Sequence, residues 1–259
     1  MVCVKQVPDT QEMRIDEESK TVVRDGVATI VNPFDEYAVE EGIRLKENND
    51  GRLTALSMGP EQAADTLKES IARGADQGVL LSDPSFAGSD LIGTAQVLAA
   101  GLRQIDDADL VILGKQSSDG GMGLLGPALA EFLGWPHISL VRKIRHIGDG
   151  RIEVERLLPD GYEVIKSELP CLISVVKEIN EPRLPSLKGV MRAKRAEVKV
   201  WSAADLGAED LDNAGLTGAA ARVQRAWIPE RDPDTEMLGG DVEAQADALV
   251  QRLKSLKLL

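Results

Sequence analysis

Aromatic side chains make up only 3% of the 259 residues, so the interior has to be filled mostly by Ala, Val, Leu and Ile. Cysteine is nearly absent. Cys3 and Cys171 each sit inside an apolar run and form no CxxC pair, so they make no zinc site by themselves and read as buried, reduced thiols of a cytoplasmic protein. The two histidines, His137 and His146, fall in a strand-like stretch with no Ser or Cys nucleophile motif nearby, and both read as surface or edge-strand residues. No segment approaches the ~18 consecutive apolar residues of a membrane span. Met1-Val2-Cys3-Val4-Lys5-Gln6 lacks a basic stretch followed by an apolar core, so no secretory signal is visible. A surplus of basic residues is also missing. The formal net charge of −13 excludes nucleic acid as the main partner, because a phosphate backbone requires a basic face. There is no GxxxxGK[ST], no GxSxG and no motif-placed carboxylate pair, which describes a binder rather than a catalyst.

The chain does contain an alternation. Met1–Val7 is a β-branched run ending at the turn signal Pro8-Asp9-Thr10, and residues 11–30 read as a loop or hairpin turning at Asp25-Gly26. Asn32 as N-cap and Pro33 in the first turn open a helix that ends near Asn48-Asn49-Asp50-Gly51. Residues 53–58 are a strand, Gly59-Pro60-Glu61 starts a helix ending at Gly74, and 78–81 is a strand. Then come a helix over 90–104, a strand over 109–113, a glycine-rich loop and a helix over 124–133. Strands alternating with helices of this length imply βαβ units and an α/β, doubly wound, mostly parallel sheet. After Pro136, four strand-like runs (137–147, 151–158, 162–167 and 171–176) read as an added antiparallel meander. Residues 177–199 read as a long basic loop, 205–224 as irregular, and 229–240 as an acidic linker. The final helix puts Val242, Ala246, Leu249, Val250, Leu253 and Leu256 on one face.

In doubly wound sheets, ligands bind beyond the carboxyl ends of the strands. Four such places carry unusual residues: Val7-Pro8-Asp9, Asn32–Asp35, Met58-Gly59-Pro60 and Gly114–Gly126. Helix amino termini there offer free N–H groups suited to phosphate. The last segment holds a formal G-x-G-x-x-G at Gly121, Gly123 and Gly126. The loop before it is too long for a dinucleotide fingerprint, and on glycine count alone a simple connection fits equally well. The insert Lys115-Gln116-Ser117-Ser118-Asp119 favours a binding loop, since bland turn residues would serve for a mere connection. Further on, Arg183, Lys188, Arg192, Lys194 and Arg195 follow one another without an intervening acid, interleaved with Leu184, Leu187, Val190 and Met191. That pattern fits either a solvated charge run or a docking surface for an acidic partner.

At these residues the chain closely resembles the β subunit of electron-transfer flavoproteins. The matching segments are Val2–Thr10, Asn32-Pro33-Phe34-Asp35-Glu36-Tyr37-Ala38-Val39-Glu40-Glu41, Gly114–Asp119, Asp160-Gly161 through Leu169-Pro170, and Asn180-Glu181-Pro182-Arg183-Leu184-Pro185-Ser186-Leu187. The resemblance implies a Rossmann-like domain in a heterodimer with a larger α subunit that carries most contacts to a FAD. It also implies a second nucleotide in the β domain, FAD or AMP. In the bifurcating branch that nucleotide is FAD and takes hydride from NADH. Carried over by position, the nucleotide contacts fall on Cys3, Asn32, Pro33, Phe34, Asp35, Met58, Gly114, Lys115, Gln116, Ser117, Ser118, Asp119, Gly120, Gly121, Met122, Gly123, Leu124 and Leu125. Leu187 matches the leucine that anchors the family's recognition loop on dehydrogenases, and Arg192 and Lys194 accompany it. Gly123-Leu124-Leu125 departs from the family, which has polar side chains there, including a Gln.

The expected organisation is a nucleotide-binding domain over 1–200, including a recognition loop over 178–195, and an arm over 201–259 that packs on the α subunit. The expected role is an electron-carrier subunit in the cytoplasm, without substrate chemistry of its own. The alternative is an adenine-nucleotide enzyme or sensor of similar fold. The enzyme would need a phosphate-handling motif near the first strand, which Lys5-Gln6-Val7-Pro8 does not supply, and the Asn180–Leu187 match argues against both.

Overall fold

The computed structural model describes residues 1–9, 14–15, 22–23, 28–207, 211–223 and 235–259. These fall into two compact units, Met1–Arg225 and Ala226–Leu259. In the first unit the chain runs β1 (Val2–Cys3), β2 (Gln6–Pro8), β3 (Arg14–Ile15), β4 (Val22–Val23), β5 (Thr29–Val31), α1 (Pro33–Asn49), β6 (Thr54–Met58), α2 (Ala64–Arg73), β7 (Gln77–Leu81), α3 (Leu91–Ile105), β8 (Leu110–Gly114) and α4 (Leu125–Leu133). It continues through β9 (His137–Gly148), β10 (Arg151–Leu158), β11 (Gly161–Glu168), β12 (Cys171–Val175), α5 (Leu187–Arg195), β13 (Lys199–Trp201) and the single turn α6 (Gly215–Gly218). The second unit is built on α7 (Val242–Ser255), N-capped by the Asp241 carboxylate.

The main sheet has nine strands in the order β11-β10-β9-β12-β8-β1-β6-β7-β13. From β9 to β13 in that order the neighbours run parallel, while β10 and β11 are antiparallel. Strand order reverses between β1 and β8, the point where a doubly wound sheet opens a crevice. Side chains alternate across the sheet, so two cores form. Val2, Ala55, Leu80, Ile112 and Ile173 pack against Val39 and Ile43 of α1, Leu67 and Ile71 of α2, and Ala193 of α5. Leu56, Val79, Leu81, Val111, Leu113 and Leu172 pack against α3 and α4 through Leu98, Leu102, Leu129 and Ala130. Burial of such side chains contributes roughly 1.5–3 kcal/mol each, before the entropy of ordering is set against it.

Four features of the sequence reading change. Met1–Val7 is not one strand: β1 stops at Cys3, and β2 leaves the main sheet to pair antiparallel with β5. The break is at Lys5, whose N–H is taken by the Asp35 carboxylate at 2.8 Å. Residues 171–175 do not extend the meander. β12 inserts between β8 and β9, parallel to both, and its unbroken buried run is the pattern of a strand covered on two faces. Residues 187–195, expected as loop, form α5. Ser186 caps it through Gly189 N–H, and Gly189 lies so close to the Ala72 carbonyl of α2 that a Cβ would collide with it. Residues 211–221, expected as irregular, include α6 and are strapped to the start of α3 by Asp90, which accepts N–H groups of Ala220 and Ala221. For residues 11–30 the antiparallel pair Ile15–Val22 shows a hairpin, while the expected turn at Asp25-Gly26 lies outside the described residues. Among the described residues, no helix is long and apolar enough to cross a membrane.

Candidate nucleotide site

The crevice between β1 and β8 is assembled by α1. Its first turn meets the end of β8 at Gly114, where an added Cβ would lie 2.6 Å from the Phe34 carbonyl carbon and collide with an Asp35 carboxylate oxygen. Any side chain at Gly114 would therefore push the helix away. Asp35 is buried and receives N–H groups from Lys5 and Gly114 together with the Asn32 side chain. Burial outweighs those bonds and pushes its carboxyl up to about 7.

Asn32 occupies the N-cap position, but its side chain does not cap α1. Instead Nδ2 donates to the Gln116 carbonyl at 2.9 Å, and Oδ1 accepts the Ser118 N–H at 3.1 Å. This holds the loop after β8 against the start of α1. The loop is also tied down from below: Lys5 Nζ donates to both Asp119 carboxylate oxygens at 2.8 Å. Burial works to raise the Asp119 carboxyl, but the Lys5 hydrogen bond and charge, with the Ser117 hydroxyl, hold it below the ordinary range. Gly121 and Gly123 have φ of 66° and 64°, so the chain turns twice in a left-handed conformation before α4. Leu124, at the N-cap of α4, supplies no side-chain cap. Two helix amino termini, those of α1 and α4, thus flank the crevice without side-chain caps.

The structure brings Asn32, Asp35, Gly114, Gln116, Ser118 and Asp119 into one bonded cluster, with Ser117 bonding Gly120 N–H within the loop. Cys3 is the last residue of β1 and lies beneath it, buried, its thiol pushed up to about 12 by burial and so held neutral. Met58 ends β6, the strand next to β1. Pro33 and Phe34 form the opening of α1, and Lys115 and Gly120 are exposed on the loop. Met122 and Leu124 are 60% and 53% exposed and Leu125 begins α4, so this end of the loop offers backbone and apolar surface. Lys5 was not anticipated, although its position two residues beyond a strand that ends at the crevice was the available signal. Among the described residues His137 Nε2 has no hydrogen-bond partner; it faces Gly126, and burial together with the Arg156 charge lowers its pKa to about 4.

The second candidate region is α5. Leu187 is 80% exposed, and Leu184 and Met191 stand exposed near it. Lys188, Lys194 and Arg195 are exposed beside them. Two of the cations noted in the sequence have structural partners. Arg192 donates to the Ile71 and Ala75 carbonyls, capping the carboxyl end of α2, and Arg183 is held by Glu40 and Glu47 of α1. Those acids, with Glu41 and Asn180, were missed in the sequence because their partners lie more than a hundred residues away.

Comparison with known proteins follows the same lines. The family model described as "Electron transfer flavoprotein domain" matches residues 19–206. An electron transfer flavoprotein subunit beta of Thermoanaerobacterium thermosaccharolyticum is 42% identical over 98% of this chain and 97% of its own. Protein FixA of Azorhizobium caulinodans is 40% identical over 98% of this chain and 92% of its own. A subunit of Acetobacterium woodii named for its caffeyl-CoA reductase-Etf complex, CarD, is 39% identical over all of this chain and 99% of its own. With a doubly wound sheet, a crevice at its switch point and matches of this breadth, the chain belongs to the electron-transfer flavoprotein β-subunit family.

Proposed function

We propose that the chain holds the adenine nucleotide of a heterodimeric electron-transfer flavoprotein, either FAD or AMP, in the β1/β8 crevice. The observation that carries this is the convergence there of two helix amino termini without side-chain caps and a loop stapled by Asn32 and Lys5. Pro33 and Pro127 carry no N–H and the Asp35 N–H goes to the Asn32 carbonyl, so the groups suited to an anionic phosphate are the N–H of Phe34 at the start of α1 and those of Leu125 and Gly126 at the start of α4. Gly114, with no Cβ, lets the first turn of α1 close against the end of β8, which brings that helix start to the crevice. Asn32, Gln116, Ser117 and Ser118 would hold it with the loop backbone. Cys3 and Met58 would contribute neutral packing from the strand ends, and Gly120–Leu125 backbone contacts in place of polar side chains. A flavin held there supplies reversible electron and hydride transfer, with NADH as donor in that case. The residues of this chain bind and orient it. The neutral Cys3 thiol takes no covalent part.

The exposed Leu184–Leu187–Met191 surface, edged by Lys188, Lys194 and Arg195, is the docking face for redox enzymes. The relative named as part of a reductase–Etf complex supports a partner of that kind. Arg192 supports the face by holding α5 to α2. The arm over 201–259 completes the subunit. On α7, Val242, Leu249 and Val250, followed by Leu256 just beyond it, keep an exposed apolar stripe for the α subunit. The complex works in the cytoplasm.

The test is to co-express the chain with its α partner, count flavin per heterodimer, and identify released nucleotide by mass. Two FAD would make this the site of a second, NADH-linked flavin. One FAD and one AMP would make it a structural clamp in a simple carrier. A heterodimer with one FAD and no second nucleotide would overturn the crevice assignment.

A further inference from the structure

Glu40 is in the middle of α1, yet its side chain is only 3% exposed. Its carboxylate accepts from Arg44 Nε at 2.7 Å, from Arg183 Nε at 2.8 Å, and from the Arg183 Nη2 and backbone N–H at 3.2 Å. The other edge of the Arg183 guanidinium donates to the Glu47 carboxylate at 2.7 and 3.0 Å. One planar fork thus spans two acids about two helical turns apart on α1. Burial works to raise the Glu40 carboxyl, and the two arginines more than offset it. Beside this clamp, Asn180 Nδ2 donates to the Tyr37 carbonyl and to Glu41 Oε2, both at 3.0 Å.

The clamp sits where the backbone has little else to hold it. Pro182 and Pro185 carry no N–H, and among the described residues the only partner of the Arg183 N–H is Glu40. Directly after Arg183 come Leu184 and Leu187, 87% and 80% exposed. An ion pair with one member buried and the other partly exposed is a weak source of net stability, because solvent screens the exposed side and apolar residues of similar volume often do as well. What it does provide is a fixed geometry, and a presented surface that is already ordered loses less entropy on docking.

We propose that Glu40 is a positioning residue which, through Arg183, fixes the exposed Leu184–Leu187 edge in the orientation that a partner meets. The functional half of this rests on reading that edge as a docking face. The conformational half does not.

Amide hydrogen exchange on the full chain tests the conformational half in three variants: Glu40→Gln, Arg183→Lys, which keeps charge and loses the fork, and the double Glu40→Leu/Arg183→Leu. Exchange of the Arg183, Gly189 and Val190 amides should rise at least about tenfold, with Leu110–Gly114 unchanged. The double variant should show this with a urea midpoint equal to or above that of the parent, a separation that a merely structural role would not give. Exchange at parental rates in all three variants overturns the proposal. In the heterodimer, the same variants should raise KM for a dehydrogenase whose reaction Leu187→Ala impairs, while leaving kcat unchanged. Unchanged KM there overturns the functional half. If Leu187→Ala impairs no dehydrogenase, the docking reading fails by itself and the exchange result still decides the role of Glu40.

Discussion

Two opposed effects meet on the Asp35 carboxyl, and burial prevails over the N–H groups that favour its charged form. The unfolded chain has an ordinary Asp near 3.8, and the folded one titrates at about 7. Between those values the folded protein holds the extra proton. The contribution of Asp35 is therefore fully present below pH 4, is lost as pH rises, and levels off above 7, with a slope of at most ~1.4 kcal/mol per pH unit. Asp35→Asn should flatten that part of the profile, read as urea midpoints between pH 5 and 8. An unchanged slope would assign the titration to another group. Gly114 tests the same contact sterically. Gly114→Ala should destabilise by ~1–3 kcal/mol and weaken nucleotide retention, because the Phe34 backbone cannot give way as a flexible side chain could. A parental urea midpoint would show that α1 moves aside without loss. The chemistry of both residues was legible as an Asn-Pro-Phe-Asp helix start and a strand-ending glycine. That they touch was not, since nearly eighty positions separate them in the chain.

Among the elements, those with local signals matched the sequence reading closely. α1 begins at Pro33 and ends on a left-handed Asp50, α2 ends at Gly74, and Asp90 caps α3. Among the expectations that changed, β12 and α5 were set by distant partners. β12 takes its direction from β8 and β9, and α5 is helical because Val190 and Ala193 find α2 and the sheet while Leu187 and Met191 stay outside. Outward-facing leucine and methionine blur the apolar period that would have marked a helix. Asp90 illustrates the same coupling between elements. Its carboxylate accepts Ile92 and Gly93 N–H groups as a cap and Ala220 and Ala221 N–H groups from the strap, and these hold it below the ordinary carboxylate range. Asp90→Ala should cost ~0.5–2 kcal/mol as a lost cap. It should also release residues 211–221, seen as faster amide exchange at Ala220 and Ala221. Exchange at parental rates there would mean that Ser89 and Gln96, which accept Gly215 and Asn213 N–H groups, hold the strap without it.

For the molecule as a whole, charge is unevenly arranged. The chain carries −13 overall, yet Lys188, Lys194 and Arg195 gather on the exposed side of α5. A local basic face on an acidic protein steers an acidic partner into one orientation and repels it elsewhere. The proposed docking at this face therefore predicts that electron transfer slows with salt, with kcat/KM falling about tenfold between low and physiological ionic strength. Stopped-flow measurement across that range is the check, and a flat profile would leave the apolar contacts of Leu184 and Leu187 to dock alone.

The sequence by itself determined the α/β class, the doubly wound order of strands and helices, and the family, because capping, turn chemistry and apolar period act over a few residues and leave local marks. It also placed Met58 and Gly114 at strand ends and Asn32–Asp35 at a helix start, but it put the end of the first strand at Val7-Pro8-Asp9, where the chain has already left the main sheet. Only the tertiary structure decided that Lys5 closes on Asp119, that Asn32 staples a loop rather than capping its own helix, and that Arg183 pairs with Glu40. Each of these joins groups far apart in sequence. Which carboxylate a cation meets is settled by the folded sheet that brings them within 3 Å, and no local preference of the chain encodes it.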